Sequence, residues 1–102
     1  MINVNTIKNF KELDTGTQIL LTLISIASDK GGIRTNKSTL AKYLGKSRET
    51  VALHINRYVR ANILKYKYSG VARINPEFYF AGSDAERAEA IKLYQDFKSD
   101  VT

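Results

Sequence analysis

Apolar residues recur at helical spacing in the first third of the chain. Leu20, Leu23, Ile24 and Ala27 form one stripe, and Ile19, Leu21 and Ile26 widen it almost all round. Such a pattern predicts a helix buried at the centre of a small domain. Asp14 or Thr15 can cap its start. Asp29-Lys30-Gly31-Gly32 supplies the turn chemistry that ends it. Residues 1–13 carry a weaker pattern. Ile2, Val4 and Ile7 suit a short strand or an arm, with Phe10 and Leu13 anchoring the segment to the core.

Beyond the glycines the period changes repeatedly. Ile33-Arg34-Thr35 reads as a very short strand. Asn36 is a good N-cap for a helix over Lys37–Leu44, whose inner face is Leu40, Ala41 and Leu44. Gly45 supplies the tight or left-handed conformation that the next turn needs. Ser47 caps a third helix that runs to about Ala61, with Asn62 at the left-handed position that ends it. Ile63–Tyr68 and Val71–Ile74 are β-rich runs flanking Ser69-Gly70, which predicts a hairpin with a two-residue link. Asn75-Pro76 breaks the second strand, and Glu77–Phe80 is an aromatic-rich turn. Ser83-Asp84-Ala85-Glu86 is a capping box opening a C-terminal helix over 83–101.

Helix, short strand, helix, turn, helix, hairpin, helix is the order of a winged helix-turn-helix. The expected fold class is therefore α+β and mostly helical, with a two-stranded wing and a C-terminal helix. A length of 102 residues fits one domain over 1–102.

Charge sharpens this picture. Residues 30–73 hold eleven basic residues and one acid, Glu49, a local charge of +10. Residues 1–29 carry −1 and residues 74–102 carry −3, so nearly all the positive charge lies on the helix-turn-helix and hairpin. A basic block on an otherwise mildly acidic small protein suggests a phosphate-facing surface. Double-stranded DNA is the expected partner.

The core of such a motif needs Leu40, Leu44, Val51, Ile55, Tyr58, Ile63 and Leu64. Removing the core positions from the third helix leaves Arg48, Glu49, Ala52, Leu53 and Asn56 clustered on one side as candidate base readers. Arg48 suits guanine, Glu49 suits cytosine N4 or the orientation of Arg48, and Asn56 suits adenine. Ala52 and Leu53 suit a thymine methyl. Candidates for the DNA backbone are Lys37, Ser38, Lys46, Ser47, Thr50, Arg57, Arg60, Lys65, Lys67 and Arg73. Ser47 and Ser38 open helices whose amides favour phosphate. Lys65 and Lys67 share a strand face by the two-residue period; in the opposing reading Tyr66 and Tyr68 cover the core while the lysines protect an edge strand. Ala90, Tyr94, Phe97 and Val101 are spaced 4, 3, 4. They form a seam that either packs on the first helix or pairs with its twin in a homodimer.

Two passages resemble the winged-helix replication proteins of Gram-positive plasmids, the Rep L-type family. Thr39–Val51 is shared by many winged helices. Gly70–Ser83, with its strand, Asn75-Pro76, aromatic run and Gly82-Ser83, is similar to that family's own passage. The resemblance runs from about Phe10 onward. It implies double-stranded DNA binding on a plasmid or related mobile element, in replication or its control. Leu53 departs from the polar residue expected at its place.

Other classes fare worse. The chain has no Cys and one His, His54, so no metal or cofactor is expected. No glycine-rich phosphate loop and no paired carboxylates stand out, so an enzyme is not expected. No apolar run is long enough for a bilayer and the start lacks a signal-peptide pattern, so a cytoplasmic, soluble protein is expected. Competing functions are a repressor of a plasmid or phage operon and a winged-helix protein-interaction module. Partner candidates beyond DNA are the replication or transcription machinery.

Overall fold

Four helices start on side-chain caps in the computed structural model, which describes residues 9–28 and 30–100. They are α1 (Thr15–Ile26), α2 (Lys37–Leu44), α3 (Arg48–Arg60) and α4 (Asp84–Asp96). Asp14 accepts from the Thr17 amide, Asn36 from Thr39 and Ser47 from Thr50. Ser83 and Glu86 form the full reciprocal capping box at α4. Gly45 ends α2 at φ 67, and Asn62 follows α3 at φ 59. Both adopt the left-handed conformation that their sequence positions implied.

Three strands, β1 (Gly32–Arg34), β2 (Leu64–Lys67) and β3 (Val71–Ile74), form an antiparallel sheet in the order β1-β3-β2. The wing therefore has three strands where two were expected. The short strand after the glycines starts at Gly32 and pairs with β3, Ile33 lying opposite Ala72. The hairpin link is also longer than two residues. Lys67 pairs with Val71, so Tyr68, Ser69 and Gly70 form the loop, with Gly70 at φ 92. A three-residue loop needs one left-handed residue, and Gly70 supplies it. The Thr35 amide donates to the Gly70 carbonyl at 2.9 Å, which ties the loop to the chain entering α2.

The core lies between the first three helices and one face of this sheet. Ile19, Leu23 and Ile24 of α1 meet Leu40 and Ala41 of α2, Val51 and Ile55 of α3, and Ile33, Leu64, Tyr66, Ala72 and Ile74 of the sheet. Leu44 and Tyr58, expected in the core, pack at its margin. Tyr58 donates its hydroxyl to the Gly16 carbonyl and so fastens α3 to the first turn of α1. Gln18 is a buried polar residue of α1, and its amide donates to the carbonyls of Phe10 and Leu13. The entry segment is thus held through backbone carbonyls, beyond any contribution of the two side chains. Ile2, Val4 and Ile7 lie outside the described residues.

Asn75 holds the other side together. Its Nδ2 donates to the Asn62 carbonyl at 2.8 Å and its Oδ1 accepts from the Glu77 amide at 2.9 Å. Asn75→Ala leaves both groups without their partner inside the fold. The expected cost is about 2 kcal/mol, read as a shift of the urea midpoint with an unchanged slope. A midpoint equal to wild type would contradict the assignment.

α4 covers the opposite face of the sheet. The helix was expected to continue to residue 101, but it ends at Asp96. The chain then turns extended at Phe97 and runs beside β2. Ser99 accepts from the Tyr66 amide at 3.0 Å and donates to the Tyr66 carbonyl at 2.8 Å. The Asp100 amide donates to the same carbonyl, and its carboxylate accepts from the Tyr68 amide at 3.0 Å. Edge-strand groups that helix continuation would leave open are satisfied by this strap, which is why the helix stops.

Candidate nucleic-acid interface

The outward face of α3 is built by subtraction. Val51 and Ile55 are pulled into the core, so the positions between them turn away from it. Arg48, Glu49, Leu53, Arg57 and Arg60 are exposed, and Ala52 is partly so. Leu53 is 47% exposed. Asn56 sits less openly. It is half-buried, and its Oδ1 is enclosed without a hydrogen-bond partner. An adenine-reading amide has to present both its atoms, and this one presents at most one.

Around the start of α3 lie Ser38, Thr39, Lys42, Tyr43, Lys46 and Ser47, all exposed. The Ser47 hydroxyl is engaged, since it accepts from the Thr50 amide at 3.1 Å and donates to the Thr50 hydroxyl at 2.8 Å. Ser47 and Thr50 thus build the cap and leave the exposed amides of the first turn as the groups facing outward.

The basic residues of the hairpin part company. Lys65 and Lys67 do share a face, but α4 lies across it. The Lys65 ammonium donates to the Tyr94 carbonyl at 2.7 Å and stands 4.5 Å from the Tyr94 ring centroid. Lys67 stands 4.8 Å from the Phe97 ring. Arg73 occupies the same face on the central strand. Its Nε is buried without a partner, and a Cβ added at Gly32 would lie 3.1 Å from its Nη1. These three side chains therefore face the α4 side of the sheet, away from α3. The opposite alternation places Tyr66 in the core and Tyr68 at the loop, 65% exposed, beside α2.

Lys37 is the unexpected member. A lysine at the first position of a helix reads as surface, yet this one is only 7% exposed. Its Nζ stands 5.1 Å from the Tyr66 ring centroid and 4.9 Å from that of Tyr68, whose rings meet edge to face. Burial lowers its pKa from the ordinary lysine value, and the Arg48 charge acts in the same direction. Tyr68 belongs to this surface too, and the two-residue period from Tyr66 was the available signal for it.

Charge on this side is almost uncompensated. Among the described residues the single ion pair is Lys30–Glu89 at 2.8 Å, which leaves the six basic side chains of α2, α3 and their turn without a carboxylate partner there. No group of three or more metal-ligating side chains occurs among the described residues. No helix among them is long and apolar enough to cross a membrane.

The expected dimer seam is used inside the chain. Ala90 is fully buried, and Tyr94 is buried with its hydroxyl donating to Asn62 Oδ1 at 2.7 Å. Phe97 is partly covered and receives Lys67. Ala90 and Tyr94 are thus covered within one chain; Val101 lies outside the described residues.

A family model described as Firmicute plasmid replication protein (RepL) matches residues 14–102, starting at the cap of α1. The chain belongs to this family. No curated protein and no solved structure matches it. RepL membership covers the helix-turn-helix, the sheet, α4 and the strap together, so one family accounts for the whole described fold from Asp14 onward. The role it carries is plasmid replication.

Proposed function

We propose that this RepL protein binds double-stranded DNA, with α3 in the major groove, and acts in plasmid replication initiation or its control. The observation that carries this reading is the set of basic side chains on α2, α3 and their turn that have no carboxylate partner. A folded protein rarely concentrates that much like charge without a counter-charge, because self-repulsion opposes compaction. DNA phosphates supply the missing counter-charge.

In this reading Arg48 reads guanine from the leading turn of α3, beside Glu49, while Ala52 and Leu53 meet a thymine methyl. Leu53 then leaves water on binding, which explains its exposure in the free protein. Lys46, Arg57, Arg60 and the amides around Ser38 and Ser47 serve the backbone, joined by Lys37. Lys65, Lys67 and Arg73 add to the field without direct contact, because Tyr94 and Phe97 hold the first two.

Titration of labelled duplex at several salt concentrations tests the reading. Log affinity is expected to fall linearly with log salt, at a slope of about −0.9 for each phosphate neutralised. A flat dependence would sink it and favour a protein-interaction module.

A further inference from the structure

Lys37 stands apart among the basic residues of this surface. The residue is only 7% exposed, and its ammonium, which keeps access to solvent, forms no hydrogen bond or ion pair with any described group. An ammonium has three donors and a high desolvation cost. Two tyrosine faces offset part of that cost, since a ring face attracts a cation. They satisfy none of the donors. The neighbouring charge is Arg48, of the same sign, so the surroundings oppose the ammonium where a structural lysine would find an acid.

Geometry gives the missing ligand a direction of approach. Tyr66 closes the inner side and is itself buried. Tyr68 closes the outer side and is mostly exposed, on a loop fixed to Thr35 by the Gly70 carbonyl. Lys37 opens α2, whose Thr39 and Leu40 amides are already taken by Asn36. An anion arriving past Tyr68 thus meets the Lys37 ammonium with the Arg48 guanidinium near it.

We propose that Lys37 and Tyr68 form the seat of a single DNA backbone phosphate, flanking the base pair that Arg48 reads. This rests on the DNA-binding reading above and deepens it. The rings keep the ammonium in place in the free protein, so the phosphate oxygen meets a pre-positioned donor.

The test compares wild type, Lys37→Met and Lys37→Arg by thermal melting without DNA and by titration with a mixed-sequence duplex across salt. Met fills similar volume and keeps contact with both rings. Lys37→Met is expected to melt no lower than wild type. It is also expected to bind duplex about tenfold more weakly at low salt, roughly the contribution of one charge-assisted hydrogen bond. Its salt slope is expected to be shallower by about 0.9. Lys37→Arg is expected to restore the slope. A Lys37→Met protein that melts well below wild type, or fails to fold, and a variant whose slope equals wild type, would each overturn the seat. Wild type binding duplex while Lys37→Met binds equally well refutes the seat alone. Wild type without salt-dependent binding refutes the DNA reading and the seat with it.

Discussion

Ile55→Ala is expected to destabilise the fold by roughly 2–5 kcal/mol, the usual cost of emptying a buried isoleucine site. Ile55 is among the largest fully buried side chains and lies on α3, the helix that packs against α1, α2 and β2 at once. Three elements converge on this helix, so no single one is free to move inward and fill the cavity, and the upper half of the range applies. A small domain has about 5–15 kcal/mol in all. Each kcal/mol lost lowers the melting temperature of a chain this size by about 4–8 °C. Calorimetry reads the effect directly. A cost below about 1 kcal/mol would mean that α3 is held by its caps and by Tyr58 more than by the core.

The second large effect concerns binding. Arg48→Ala is expected to cost about 1–3 kcal/mol on a duplex selected from a random pool, or roughly 5- to 150-fold in affinity. On mixed-sequence DNA the loss is expected to be much smaller. Arg48 is exposed and has no carboxylate partner among the described residues, so its removal is expected to change stability by no more than about 0.5 kcal/mol. Melting and binding therefore separate for this residue, and the ratio of the two binding losses measures base reading. Equal losses on selected and mixed DNA would move Arg48 to the backbone set.

Much of the fold was legible because its local signals agree with its packing. Asn36, Ser47 and Ser83 are caps in the sequence and caps in the structure. Gly45 and Asn62 adopt the positive φ that their places demanded. Local choices that point to one structure are what make a sequence readable. The exposed face of α3 followed by subtraction, since Val51 and Ile55 had to be inside.

What escaped reading depends on long-range contacts. The two-residue period placed Lys65 and Lys67 on one face, but only α4 decides what that face meets. The seam Ala90–Tyr94–Phe97 had an apolar period that fits a twin as well as a sheet. Asn75 looked like a strand breaker, although its side chain bridges the end of α3 to the aromatic turn. Lys37 was hidden by its type, since lysine is almost never buried, and its two rings come from β2 and the loop after it, far along the chain.

The strap at Ser99 and Asp100 has a consequence for folding. Strand β2 lies some thirty residues before the segment that seals it. A folding chain can assemble α1, α2, α3 and the hairpin while the Tyr66 and Tyr68 backbone groups remain open. Two such chains would present matching open edges, the geometry that favours misassembly between copies. Docking of the strap thus sets how long each copy stays open to its neighbour.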